Sequence, residues 1–425
     1  MLQVRKLHLE SFRGFESINI GFGKHITCIA GVNGAGKTSC LDAIAYNLSW
    51  ITEMLKLPPY QNGRYVSPSE KKKNSPFPAK ISSDIEINGF VKNIVVGADS
   101  APGMTIKFAD EKTMKDLFEK INEVYPIENR KNLPVIMYYP ANRSDLDIDV
   151  SIDSEKDLSD KYEIYKNNLE LSVSYKDFFR WFRDREDREN EEMVERYKNR
   201  TDNQAYEDKA LKAVRNSISV LLPNFSQMTV NRKRQTILIK KNDIELDFSM
   251  LSDGEKEIIT IFGDIARRLA LANDDLENPL EGDGIILIDE IDLHLHPSWQ
   301  RKICHALVET FPNCQFIITT HSPQILGELK PQDIRILNDF EISVPSQSYG
   351  LDSNEILEAL QNTTNEPLKQ NVEVSKRIDE IADLIDESKF KEAREKLQEL
   401  EKELNGTISE TASLWTEIAL MENAS

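Results

Sequence analysis

Gly31-Val32-Asn33-Gly34-Ala35-Gly36-Lys37-Thr38 decides how this chain is read. The stretch satisfies the phosphate-loop pattern G-x-x-x-x-G-K-[ST], and its surroundings supply the context that pattern needs. Before it, residues 25–30 form a short apolar run of the kind a buried strand shows. After it, Leu41, Ile44, Ala45, Leu48, Ile51 and Leu55 recur at helical spacing until Pro58-Pro59 stops them. Glycines let backbone N–H groups converge on phosphate oxygens, and the start of a helix adds partial positive charge. Asn33, Gly34, Ala35, Gly36, Lys37, Thr38 and Ser39 are therefore the candidate nucleotide-binding residues. Lys37 is placed to bridge terminal phosphates and Thr38 to offer its hydroxyl to Mg²⁺.

Two later strand ends carry chemistry. Residues 285–288 (Ile-Ile-Leu-Ile) run into Asp289 and Glu290, which puts two carboxylates at the C-terminal edge of a sheet, where ligand crevices lie. Asp289 suits a Mg²⁺ contact, and Glu290 suits a general base acting on water. After another apolar run, Thr319-Thr320-His321-Ser322 places His321 where it can reach a terminal phosphate or hold that water. Strands and helices alternate through this region as a parallel sheet requires, so the fold class is α/β.

The order of residues 31–38, Leu251-Ser252-Asp253-Gly254-Glu255, residues 285–290 and His321 resembles the Walker A, signature, Walker B and switch-histidine order of ABC-type ATPases of the SMC and RecF class. The resemblance implies ATP and Mg²⁺ as cofactors, a P-loop NTPase head with a mixed sheet, and a homodimer that closes around ATP. In that class Ser252, Asp253, Gly254 and Glu255 would face the nucleotide held by the other copy. By residue type alone Ser252 and Glu255 form a helix capping box. Asp253 and Glu255 stand where transporters carry Gly and Gln, which argues against a transporter. Ser11-Phe12-Arg13-Gly14-Phe15 is similar to the opening segment of the class, which makes Arg13 a candidate beside the nucleotide; a hairpin turn is its other reading. Asn142 falls where a Mg²⁺-binding glutamine is usual, with Arg143 beside it. His294 and His296 share one face of an extended segment, but no third or fourth ligand is spaced nearby for zinc. Residues 293–297 instead resemble the subunit-contacting loop of ABC proteins.

Residues 288–300, 319–324 and 349–353 resemble the compact RecF-related ATPases of bacterial anti-phage loci, and among these the short insertion and helical tail look most similar to the Septu or retron-linked, PtuA-like kind. That resemblance implies a cytoplasmic regulatory ATPase, in a higher oligomer, working with a separate HNH nuclease and, in retron-linked versions, a reverse transcriptase with its RNA and DNA. Two other readings stay open: a DNA-repair or chromosome-maintenance ATPase that clamps DNA directly, and a slow-turnover assembly scaffold. The residues after His321 read as mostly helical and too few for a fused nuclease domain.

Composition bounds these readings. The chain has 425 residues, of which 40% are apolar and 29% charged, which is globular rather than disordered or collagen-like. No apolar run is long enough for a membrane span or a secretory signal, so a soluble cytoplasmic protein is expected. Four cysteines without C-x-x-C spacing encode neither a zinc ribbon nor a disulfide framework. With 53 Lys+Arg against 72 Asp+Glu the net charge is −19, so nucleic acid would need a local basic surface. Residues 231–241, with Arg232, Lys233, Arg234, Lys240 and Lys241, are the best candidate, and residues 71–73 the second; solvated hairpin charges are the plainer account. The expected domains are 1–143, an N-terminal lobe; 144–225, a charged helical insertion; 226–370, a C-terminal lobe; and 371–425, a helical appendage.

Overall fold

The computed structural model describes residues 1–56, 62–101, 104–141, 161–169, 175–199, 206–360, 372–387, 389–404 and 406–424. Strands β1 (Leu2–Glu10), β2 (Ser17–Gly21) and β3 (Ile26–Ala30) lead into helix α1 (Lys37–Leu55), followed by β4 (Ala79–Ile87), β5 (Phe90–Ala101), β6 (Met104–Ala109), α2 (Glu111–Val124) and β7 (Val135–Tyr139). Helices α3 (Tyr175–Asn199) and α4 (Lys209–Ser219) precede β8 (Phe225–Asn231), β9 (Thr236–Lys241) and β10 (Ile244–Asp247). Then come α5 (Asp253–Ala272), β11 (Gly284–Ile288), α6 (Pro297–Thr310), β12 (Cys314–Thr320), α7 (Pro323–Leu326), β13 (Ile334–Asn338) and β14 (Glu341–Ser343). The tail holds α8 (Ser353–Leu360), α9 (Val372–Asp386), α10 (Phe390–Leu404) and α11 (Ser409–Ala424). Residues Met1–Ile356 make one compact unit and Leu357–Ser425 a second.

The first unit is built on two larger sheets. One is antiparallel in the order β2-β1-β4-β5-β6; the other is mixed in the order β14-β13-β3-β12-β11-β7, with only β14 antiparallel. In the mixed sheet β3, β7, β11 and β12 are buried at every residue, as strands covered on both faces are. Helix α1 touches strands of both sheets, which is why most of its residues are buried all round. The described chain after His321 is mostly helical, as expected from sequence, and adds two short strands, β13 and β14. They form an edge hairpin directly beside β3.

The described part of the charged insertion packs on the first unit through aromatic residues. Phe178, Phe179, Trp181 and Phe182 of α3 are buried, and the Phe178 ring lies close enough that a Cβ on Gly263 of α5 would be 3.2 Å from it. Its charges pair locally, as in Arg196–Glu192 at 2.7 Å and Arg215–Glu189 at 3.1 Å. The four cysteines are buried and unbonded to one another. In the second unit Ile381, Ile385, Ala393, Leu397, Leu400, Leu414 and Ile418 of α9, α10 and α11 form the core.

Helix α5 is tied to β7 by a buried charge cluster. Asp264, wholly buried, accepts from the Tyr139 hydroxyl at 3.1 Å, Arg267 Nη2 at 2.7 Å and Arg268 Nε at 2.9 Å. Burial alone would raise the Asp264 pKa, but the two guanidiniums outweigh it and hold the carboxyl below its ordinary range. Asp264→Ala leaves two buried guanidiniums without their counter-charge and is expected to lower stability by about 3–5 kcal/mol in urea unfolding. A loss below about 1 kcal/mol would show that the cluster behaves as an exposed ion pair does.

Candidate active site

The phosphate loop leaves β3 in a place where only glycine fits. A Cβ on Gly31 would sit 2.1 Å from the Leu337 carbonyl oxygen of β13, and one on Gly36, at φ 103°, 2.7 Å from the Phe15 ring. Gly36 is the N-cap of α1; no side chain caps it and no acid lies in the first turn, so the helix start keeps its donors and its positive end for an anion. Lys37 is buried and bends back, its Nζ donating to the carbonyls of Gly31 at 2.8 Å and Val32 at 3.0 Å. Burial lowers its pKa, against the opposing pull of Asp289, Glu290 and Asp292. An ammonium held by two backbone carbonyls is one that phosphate oxygens would satisfy better.

Parallel pairing sets the acids beside this loop. Strands β3, β12 and β11 are consecutive in the sheet, so residues 31–38, His321 and Asp289-Glu290 leave the same edge. Ile288 pairs with Ile318, which brings Asp289 next to Thr319. The Thr38 hydroxyl donates to Asp289 Oδ2 at 2.7 Å, joining two hard oxygen donors of the kind Mg²⁺ takes. Thr319 Oγ1 donates to Asp289 Oδ1 and accepts from the Glu290 backbone N–H at 2.8 Å. One hydroxyl thus orients the first acid and the turn carrying the second. Glu290 itself has φ 46°, a left-handed conformation rare for a glutamate. Among the described residues no group of three or more His, Cys, Asp or Glu could hold a metal alone, so a divalent ion here would complete its shell with phosphate and water oxygens.

His321 follows β12, with Nε2 3.9 Å from Asp292 Oδ2. Asp292 is held in turn by the Thr320 hydroxyl, and Gln300 of α6 donates to the carbonyls of Asp292 at 3.3 Å and Leu295 at 3.0 Å. His296 is the N-cap of α6, its Nδ1 accepting from the Ser298 N–H at 3.2 Å, while the His294 carbonyl lies against Gly254. The two histidines therefore shape a loop and a helix start.

Arg13 reaches the first turn of α1. Its guanidinium donates to Ser39 Oγ at 3.2 Å, Asp42 Oδ2 at 2.6 Å and Glu70 Oε1 at 2.8 Å. Burial draws its pKa down, and Asp42 and Glu70 more than reverse that. Tyr138 donates to Asp42 Oδ1 at 2.9 Å and Tyr46 to Glu70 Oε2 at 2.6 Å, so Arg13 sits within a built network. Asn142 and Arg143 lie outside the described residues.

The start of α5 differs from that of α1. Ser252 caps it with a complete box: its Oγ accepts from the Glu255 N–H at 3.4 Å and donates to Glu255 Oε2 at 2.9 Å. Asp253 and Glu255 place two carboxylates in the first turn, where they oppose an anion. Lys241, 2.6 Å from Glu255, offsets one of them. Burial raises the Glu255 pKa, and the bonds from Lys241 and Ser252 overcome it to leave the group acidic. A Cβ on Gly254 would meet the His294 carbonyl at 2.6 Å. The structure therefore sets Gly254 against the 293–297 loop, ties Ser252 and Glu255 to each other and Glu255 to Lys241, and leaves Asp253 exposed in the same turn, while residues 31–39, Asp289, Glu290 and Arg13 gather about the start of α1.

Thr319, Asp42, Glu70 and Tyr138 were not singled out from sequence. The threonine had a weak signal in its place at the strand end before His321; Asp42 and Glu70 meet Arg13, and Tyr138 meets Asp42, only through folding.

Residues 123–327 match the family model described as "AAA domain, putative AbiEii toxin, Type IV TA system". The chain is 31% identical to the Retron Ec83 probable ATPase of Escherichia coli, over 92% of this chain and 81% of that one. It is 28% identical to the Retron Vc95 probable ATPase of Vibrio cholerae serotype O1 biovar El Tor, over 90% and 84%. Against the Septu protein PtuA of Bacillus thuringiensis the identity is 24%, over 93% of each chain.

Proposed function

This chain belongs to the family of retron and Septu ATPases, ABC-type ATPases of anti-phage loci, and from that premise we propose that it binds and hydrolyses ATP as the regulatory subunit of a defence complex. The observation that carries the reading is the Thr38–Asp289 hydrogen bond, which joins the phosphate loop to the acidic strand end. Asn33, Gly34, Ala35, Gly36 and Ser39 line the phosphate chain with Lys37, and Arg13 stands beside it. Thr38 and Asp289, with Asn142, would hold Mg²⁺, which offsets phosphate charge when bound. Glu290 takes a proton from the attacking water as the bond to the terminal phosphorus forms and the bridging oxygen leaves with ADP. His321 positions that terminal phosphate and water, and Thr319 keeps Asp289 and the Glu290 turn in place.

Hydrolysis on this reading needs two copies. Ser252, Asp253, Gly254 and Glu255 of one copy approach the triphosphate held by the other, with the Ser252 hydroxyl turning from Glu255 to the phosphate. That exchange fits a site that stays latent until a second chain arrives. The closed homodimer, or a higher oligomer of it, then controls a separate HNH nuclease and, where a retron is present, its reverse transcriptase with RNA and DNA. The lobes 1–143 and 226–370 carry the site, and the helical 371–425 appendage offers a surface for assembly. No described helix is long and apolar enough to cross a membrane, and we place the protein in the cytoplasm.

The direct DNA-clamp reading loses support from its best surface. Arg232 pairs with Asp187 and with Glu186 at 3.0 Å, Lys240 with Asp243 at 3.1 Å and Lys241 with Glu255 at 2.6 Å; in the second basic group Lys71 pairs with Asp99 at 2.8 Å. Acids thus offset three of the five cations of the 231–241 run, Arg232, Lys240 and Lys241. The test of the proposal is steady-state Mg²⁺-ATP hydrolysis by the full chain across protein concentration. The rate per chain is expected to rise with concentration toward a plateau. A rate per chain that stays constant down to high dilution would contradict hydrolysis by a reversible dimer, and no turnover at any concentration would favour the scaffold reading.

A further inference from the structure

The β13–β14 hairpin crosses the mouth of the phosphate loop and carries an unusual turn. Asn338 pairs with Glu341, so the turn has two central residues, Asp339 and Phe340, and both have positive φ, 45° and 62°. Two-residue turns of this kind favour Asn-Gly or Asp-Gly because an ordinary side chain is strained there. A phenylalanine at φ 62° is an outlier, and such strain persists where the surrounding structure holds it, commonly at ligand clamps.

The ring that this strain positions lies against the loop. A Cβ on Gly14 would be 2.1 Å from Phe340 Cε1, and one on Gly36 would be 3.3 Å from the same atom. Phe340 meets the buried Phe15 edge-on, with centroids 5.2 Å apart and planes at 85°, yet remains 37% exposed. Its hairpin also brings the Leu337 carbonyl over Gly31. An aromatic ring is thus fixed on one side, open on the other, and set beside the glycine that begins α1. On the same helix turn Ser39 is bonded to Arg13.

Resting on the ATP-binding reading above, we propose that Phe340 is the nucleobase platform of this site, a flat apolar surface on which the purine of the bound nucleotide stacks. Stacking on an aromatic ring tolerates any base but requires one, so Phe340 favours a nucleotide over its bare phosphate chain. The hairpin orders the ring in advance, which limits the entropy lost on binding.

The experiment measures the affinities of ATP and of inorganic tripolyphosphate, each with Mg²⁺, by calorimetry on the full chain carrying Glu290→Gln to block turnover. Phe340→Gly removes the ring and suits the positive φ, and unchanged tripolyphosphate binding shows that the variant keeps its phosphate loop. It is expected to bind ATP about tenfold more weakly while binding tripolyphosphate unchanged. Phe340→Tyr keeps the stacking face and is expected to bind ATP as its parent does. The platform is overturned if Phe340→Gly keeps the parent's affinity for ATP, or if ATP and tripolyphosphate weaken equally, which marks a disturbed loop. If the parent binds neither ligand, the failure lies in the nucleotide reading of residues 31–38 itself.

Discussion

Glu290→Gln is expected to reduce ATP turnover by about 100- to 10,000-fold while leaving nucleotide affinity intact. The side chain is nearly isosteric, and the contact that holds its turn, the backbone N–H to Thr319 Oγ1 at 2.8 Å, does not involve the carboxylate. The phosphate-binding groups are elsewhere, on Lys37, Thr38 and the first turn of α1. What the substitution removes is the oxygen able to take a proton from water, so the loss should fall on the chemical step and appear in single-turnover measurements. Retained turnover would mean that another group activates the water. Lost ATP binding would mean that the left-handed Glu290 turn, at φ 46°, shapes the pocket and does not act on the water.

Much of this site is legible in the chain because its parts are local. The loop 31–38 and the helix after it announce themselves by glycine spacing and apolar period, and α1 occupies Lys37–Leu55 as that period predicts. The acids at 289 and 290 follow an apolar run that is a strand, Gly284–Ile288. The groups that hold these residues are not local. Thr319 meets Asp289 through a register between strands about thirty residues apart, Asp42 and Glu70 meet Arg13 from separate elements, and Tyr138 joins them through Asp42.

The hairpin β13–β14 was hidden for a different reason. Its strands are short, and Asp339-Phe340 lacks the glycine or asparagine by which a two-residue turn is recognised. The basic run at 231–241 misleads in the opposite direction. The acids that pair Arg232 and Lys241, Glu186 and Asp187 on α3 and Glu255 on α5, are remote in sequence and adjacent in space, and Lys240 pairs with the nearby Asp243. The capping box at Ser252 shows the limit of motif reading. The same four residues are a satisfied helix start in one chain and, on the account given, a phosphate contact across two.

That dual role gives the second large effect. Lys37→Ala removes the ammonium held at the phosphate loop but leaves the α5 start intact. Ser252→Arg leaves the loop intact but blocks the α5 start with bulk and charge. Each variant alone should be almost inactive. In a two-fold dimer, an equal mixture makes half of its dimers mixed, and each mixed dimer carries one complete site, the loop of the Ser252→Arg chain facing the intact α5 start of the Lys37→Ala chain. If the two sites work independently, the mixture should recover about a quarter of wild-type turnover. The measurement is therefore the ATPase rate of Lys37→Ala and Ser252→Arg proteins, separately and mixed. Recovery on mixing is the predicted result; a mixture no more active than its components would contradict a site completed by a second copy.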